Sequence, residues 1–114
     1  MTNDSERTQE STIERIDHAR GTSPLKGCLT VIQGRADDLG KHVVLGPCVV
    51  IGRDAECDFR LKDFGASRRH CEIATVEDGV YSVRDLSSTN GTLVCGAPIR
   101  GRTPLRDGEK IQIA

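Results

Sequence analysis

The segment His70-Cys71-Glu72-Ile73-Ala74-Thr75-Val76-Glu77-Asp78-Gly79-Val80-Tyr81-Ser82-Val83-Arg84 carries the clearest structural pattern in the chain. His70 to Val76 is extended and rich in β-branched side chains, and Glu77-Asp78-Gly79 supplies a tight turn. Val80 to Arg84 then alternates, with Tyr81 and Val83 on one face and Ser82 and Arg84 on the other. The segment predicts a β-hairpin.

Outward from this hairpin the same signals recur. Upstream, Cys57 to Leu61 alternates so that Cys57, Phe59 and Leu61 share a face against Asp58 and Arg60. Gly46-Pro47 turns the chain into the apolar run Cys48 to Ile51, which Gly52 ends. Cys28 to Gln33 and His42 to Leu45 read as a hairpin joined by the polar connection Gly34 to Gly40. Downstream, Asp85 to Asn90 is a polar loop pinned by Leu86, and Gly91 to Val94 restarts a strand. Cys95 to Pro98 turns, and Arg106 to Glu109 leads into Lys110 to Ile113. Roughly nine or ten short strands, at spacings of about 8 to 12 residues and without a folded helix, predict an all-β sandwich of two twisted antiparallel or mixed sheets.

The ends carry separate expectations. Residues 1–26 offer only Ile13, Ile16 and Leu25 as large aliphatics, and a helix over Thr12 to Ala19 would be marginal. They read as a flexible N-terminal tail or linker, with the domain at 27–114. Thr8 and Thr12 in this tail are candidate phosphoacceptors. At the other end Ala114 falls a few residues into a strand, which predicts a sandwich lacking its last strand. Ile111, Ile113 or their neighbours would then hold an unpaired edge, open to another chain unless something covers it.

Composition narrows the functional classes. One hundred and fourteen residues suffice for one domain, and 16 basic against 17 acidic residues give a net charge of −1. No global field favours nucleic acid or an anionic membrane, and three aromatics, Phe59, Phe64 and Tyr81, give no row of rings for stacking bases. Cys28, Cys48, Cys57, Cys71 and Cys95 are odd in number and form no CxxC pair. They read as reduced thiols at apolar positions of a cytoplasmic protein, with no metal site. No cationic start leads into an apolar stretch and no apolar run approaches about 18 residues, so neither secretion nor membrane insertion is expected.

Chemistry-bearing residues gather in the predicted turns: Gly52-Arg53, then Ser67-Arg68-Arg69-His70, then Ser88-Thr89-Asn90-Gly91-Thr92. Guanidinium, hydroxyl and amide donors on separate turns of a rigid scaffold suit the capture of a phosphate. Between Arg53 and His70 five basic and four acidic residues nearly cancel, so attraction must come from converging side chains and not from bulk charge. His70 beside Ser67 could suggest a catalytic pair, but no GxSxG elbow surrounds the serine, and no enzyme is expected.

Through Ile51 to Leu61 (IGRDAECDFRL), Ser67 to Ile73 (SRRHCEI) and Asp85 to Gly96 (DLSSTNGTLVCG), the chain resembles the forkhead-associated domain, a phosphothreonine-recognising β-sandwich, over about Leu29 to Ile113. The resemblance implies that Arg53, Ser67, Arg68, Thr89 and Asn90 bind the phosphopeptide, while Gly52, His70 and Gly91 support the site. It implies a preference for threonine over serine, through an apolar pocket for the methyl group. Residues Phe64-Gly65-Ala66, before the serine, would set the choice at the third peptide residue after the phosphothreonine. They carry no charge, so selectivity there is expected to be broad or apolar, with any acidic preference left to Lys62 or Arg84.

The implied function is a non-enzymatic, cofactor-free adaptor for a phosphothreonine-containing protein, downstream of a Ser/Thr kinase. Leu29 to Asp54 also looks like bacterial members that precede an output domain such as a diguanylate cyclase. Two alternatives stand beside it: occupation of the site by the chain's own phosphorylated tail, and a purely structural oligomerisation module.

Overall fold

The computed structural model describes residues 11–18, 26–77 and 79–113. They form eleven strands: β1 (Ser11–His18), β2 (Lys26–Gln33), β3 (His42–Val44), β4 (Cys48–Gly52), β5 (Phe59–Arg60), β6 (Cys71–Glu77), β7 (Val80–Asp85), β8 (Thr92–Val94), β9 (Ala97–Pro98), β10 (Thr103–Leu105) and β11 (Lys110–Ile113). One sheet has the order β3-β2-β1-β11-β8-β9 and the other β10-β7-β6-β4-β5. Only β4 and β5 run parallel, so the second sheet is mixed.

The expected hairpins form. β6 pairs antiparallel with β7 from Cys71↔Asp85 to Glu77↔Val80, and β2 with β3 from Cys28↔Val44 to Thr30↔His42. Alternation decides which side chains enter the core. Ile73, Val83 and Tyr81 of the β6–β7 hairpin are buried with Val49 and Ile51 of β4, against Leu29, Val31, Ile111, Ile113 and Val94 of the other sheet. The period-two reading of Cys57 to Leu61 also holds for burial: Cys57, Phe59 and Leu61 are buried, Asp58 and Arg60 exposed. Its ladder, however, is confined to Phe59–Arg60. Asp58 instead turns its carboxylate to accept the Val50 amide at 2.9 Å.

The largest departure from expectation is at the N-terminus. Residues 11–18, assigned from sequence to a flexible tail, form β1, which lies between β2 and β11 and bonds to both. Ile13 is fully buried in the core. Arg15, which looks like a solvated charge in the sequence, is only 3% exposed. Its guanidinium donates to the carbonyls of Leu105 and Gly79 and stacks 4.5 Å from the Tyr81 ring centroid. A charged side chain can be buried when its donors and its cationic face are satisfied in this way.

The same strand corrects the reading of the C-terminus. β11 is not an open edge, because β1 covers one side of it and β8 the other. Ile111 and Ile113 are fully buried. β10, missed among the turn residues, pairs with β7 through Thr103↔Val83 and Leu105↔Tyr81 and buries Leu105. At Cys95-Gly96 both residues take positive φ, 52° and 83°, the geometry of a two-residue hairpin turn between β8 and β9. All five cysteines are free thiols, but the apolar placement holds only for Cys28, Cys57 and Cys71, since Cys48 and Cys95 are exposed.

Candidate functional site

The residues 53–58 after β4, 61–70 before β6 and 86–91 after β7 are fastened to one another by backbone bonds. His70 N donates to Ile51 O at 2.8 Å and Leu86 N to His70 O at 2.8 Å, extending the sheet into the turns. Arg53 N donates to Ser67 O at 3.0 Å and Asp54 N to Arg68 O at 3.1 Å. Gly52 is required by this approach. A Cβ there would lie 2.1 Å from Arg68 O, which no adjustment of a side chain could relieve.

The side chains continue the pattern. Arg53 Nε donates to Ala66 O at 2.8 Å, which holds the exposed guanidinium against the Ser67 turn. Its Nη groups remain for an external acceptor, and no salt bridge to Arg53 occurs among the described residues. The Ser67 hydroxyl accepts the Thr89 amide at 2.9 Å. Because that contact uses an oxygen lone pair, the hydroxyl proton is available to an anion. Asn90 Nδ2 donates to Gly65 O at 2.9 Å and clasps the third turn to the second. Arg53, Ser67, Thr89 and Asn90 are therefore brought together. Arg68 and Arg69 are both exposed, and it is the Arg68 carbonyl, not its guanidinium, that the turn uses internally.

His70 is fully buried beneath the turns. Its Nδ1 accepts the Ser67 amide at 3.0 Å and its Nε2 lies 2.7 Å from Gly91 O. This pattern places the proton on Nε2 and leaves neither nitrogen for the Ser67 hydroxyl, so the two residues do not form a nucleophile–base pair. Gly91, at φ 89°, takes the left-handed conformation that brings its carbonyl to the imidazole.

Several supports were not legible in the sequence. Asp85 accepts from the Ser88 amide at 2.9 Å and from the Thr92 hydroxyl at 2.6 Å, while Ser88 Oγ accepts from Gly91 N at 2.9 Å. Burial would raise the Asp85 pKa, but the hydrogen bonds from Ser88 and Thr92 outweigh it and hold the carboxyl below its ordinary range. These bonds also hold Ser87 at a positive φ of 60°. Cys57 donates its thiol to Arg68 O at 3.0 Å, and burial pushes its pKa up, keeping the donor proton in place. Phe64 is 80% exposed, with the Arg35 guanidinium 5.3 Å from its ring centroid. Arg84, one of the basic residues proposed to reach the peptide, instead pairs with Glu72 at 3.0 Å.

Of the two candidate phosphoacceptors, Thr8 lies outside the described residues. Thr12 is only 6% exposed, in a strand bonded on both sides, and cannot enter a kinase cleft while the domain is folded. No helix among the described residues is long and apolar enough to cross a membrane.

Comparison with known proteins supports the same assignment. The FHA domain family model matches residues 49–114. The chain is 48% identical over 65 residues to the FHA domain-containing protein FhaA of Mycobacterium tuberculosis, covering 56% of this chain and 12% of that protein. It is 30% identical over 110 residues to the oxoglutarate dehydrogenase inhibitor of Corynebacterium glutamicum, covering 89% of this chain and 76% of that one. A solved structure described as a structural and functional analysis of phosphothreonine-dependent FHA domain interactions superposes with a TM-score of 0.60 at 30% identity, covering 91% of this chain and 93% of that one. The FhaA FHA domain complexed with the intracellular domain of Rv3910 gives a TM-score of 0.60 at 30% identity, covering 90% and 97% respectively. The family match over more than half of the chain agrees with the likeness in sequence and fold, and the chain belongs to the FHA domain family.

Proposed function

We propose that this domain is a non-catalytic, phosphothreonine-dependent protein-interaction module of a signalling protein, with Arg53, Ser67, Arg68, Thr89 and Asn90 as its phosphopeptide-binding residues. The observation that carries the reading is the junction at Ser67: its hydroxyl is oriented by the Thr89 amide, and its preceding carbonyl holds the Arg53 side chain. A dianion placed there would receive donors from separate turns that are already fixed before binding. A degenerate phosphothreonine peptide screen, run beside its unmodified counterpart, tests it. Binding confined to the phosphorylated pool is the expected result, and equal capture of both pools would overturn the reading.

The exposed Phe64 ring beside Arg35 favours an apolar residue C-terminal to the phosphothreonine. Preference for threonine over serine follows the family likeness. The partner is a phosphothreonine-containing protein produced by an upstream Ser/Thr kinase, in the cytoplasm. An output domain such as a diguanylate cyclase belongs to the same proposal about the parent protein. The structural-oligomerisation alternative relied on an open edge at β11 and loses that support, because the strand is paired on both sides.

Occupation by the chain's own N-terminus keeps a specific observation in its favour, now through Thr8 alone. Ser11 Oγ lies 2.8 Å from Asp63, at the start of the serine turn. Thr8 precedes Ser11 by three residues, a tether of at most about 10 Å, so a phosphate there would compete for the site from within the same chain. Its high effective concentration would then exclude outside peptide. Phosphorylation at Thr8 is expected to weaken binding of a free phosphopeptide, and unchanged affinity would reject the idea.

A further inference from the structure

β1 makes one contact that ties the N-terminal strand to the serine turn. Ser11 is fully buried and donates its hydroxyl to Asp63 Oδ2 at 2.8 Å, across 52 positions of sequence. The other oxygen of the same carboxylate, Oδ1, accepts the Gly65 amide at 2.8 Å, and Asp63 O accepts the Ala66 amide at 3.1 Å. Gly65 O receives Asn90, and Ala66 O receives Arg53. Asp63 thus organises the two carbonyls on which two of the proposed phosphopeptide-binding side chains rest. The site around Ser11 is closely fitted, since a Cβ on Gly34 would lie 3.0 Å from its Oγ.

We infer that Ser11 is a positioning residue for phosphothreonine recognition, fixing the Asp63 carboxylate so that the turn through Ser67 is preorganised before peptide arrives. This rests on the phosphothreonine reading above. Asp63 is itself a buried residue, only 8% exposed, so an oxygen deprived of its donor has little water to replace it. The carboxylate then rotates or recruits the Gly65 amide differently, and Gly65 and Ala66 lose their fixed carbonyl directions. Binding weakens because the turn must be ordered at the moment of association.

The test measures affinity for one phosphothreonine peptide taken from the screen, using the full chain and its Ser11→Ala, Asp63→Asn and Ile13→Val variants. Ser11→Ala is expected to weaken binding about five- to tenfold, with faster hydrogen exchange at the Gly65 and Ala66 amides and little change at β8 and β11. Asp63→Asn approaches the contact from the other side and should move affinity in the same direction. Ile13→Val destabilises the same strand without touching the turn and should leave affinity within about twofold. If affinity is unchanged in Ser11→Ala and Asp63→Asn, or falls in Ile13→Val as thermal stability does, the positioning role is overturned. If Ser11→Ala does not fold, Asp63→Asn and Ile13→Val decide by the same criteria. Failure of the unaltered chain to distinguish phosphorylated from unmodified peptide would instead overturn the functional reading itself.

Discussion

Deletion of residues 1–18 is expected to abolish cooperative folding. β1 supplies one ladder to β2 and another to β11, so its removal leaves two strands with unpaired inner edges in the middle of a six-stranded sheet. It also removes the fully buried Ile13, and the buried Arg15 that satisfies the Leu105 and Gly79 carbonyls. A buried Ile is worth about 2 to 5 kcal/mol by truncation to Ala, and each hydrogen bond from a charged donor about 1.5 to 3 kcal/mol. Together with the lost ladders this approaches the whole stability of an ordinary domain, about 5 to 15 kcal/mol. Circular dichroism melts and amide dispersion in nuclear magnetic resonance spectra provide the check. A truncated chain with a sharp transition within a few degrees of the full one would restore the tail reading. Ile13→Ala alone should lower the midpoint by roughly 10 °C or more.

Arg53→Ala is expected to reduce phosphopeptide affinity about 100-fold or more while leaving the melting midpoint almost unchanged. The side chain is exposed and makes one internal bond, to Ala66 O, so the fold depends little on it. Bound phosphate would lose a planar donor fork, whose charge-assisted bonds are each worth about 1.5 to 3 kcal/mol. Arg53→Lys should recover only part of the affinity, because an ammonium group cannot both rest on Ala66 O and present two parallel donors. Ser67→Ala should cost about tenfold, through the lost donor and the freed Thr89 amide. Calorimetric titration against phosphorylated and unmodified peptides measures all three. An Arg53→Ala protein that binds as tightly as the unaltered chain would remove Arg53 from the site.

His70 illustrates how far a residue type can mislead before its surroundings are known. A histidine three positions from a serine invites a catalytic reading, yet its Nδ1 is taken by the serine's amide and its Nε2 is engaged with Gly91 O. The family motif pointed to bracing, and the hydrogen bonds explain it: a buried imidazole with both nitrogens satisfied is a strut between two turns.

The features legible in the chain alone are local. Alternating side chains in β6, β7 and Cys57 to Leu61 selected their buried face, the Glu77-to-Gly79 turn joined the central hairpin, and three spaced motifs marked the recognition turns. Those features depend on neighbours a few positions away, and their periodicity survives in one dimension. The place of β1 emerges only once the chain is folded. Ser11, Thr12 and Arg15 resemble solvated residues because the groups that permit their burial lie far along the chain: Asp63 is 52 positions from Ser11, and the Leu105 carbonyl is 90 from Arg15. Burying a polar group is favourable only where its partner already waits, and such a partner becomes visible only after the two sheets have closed.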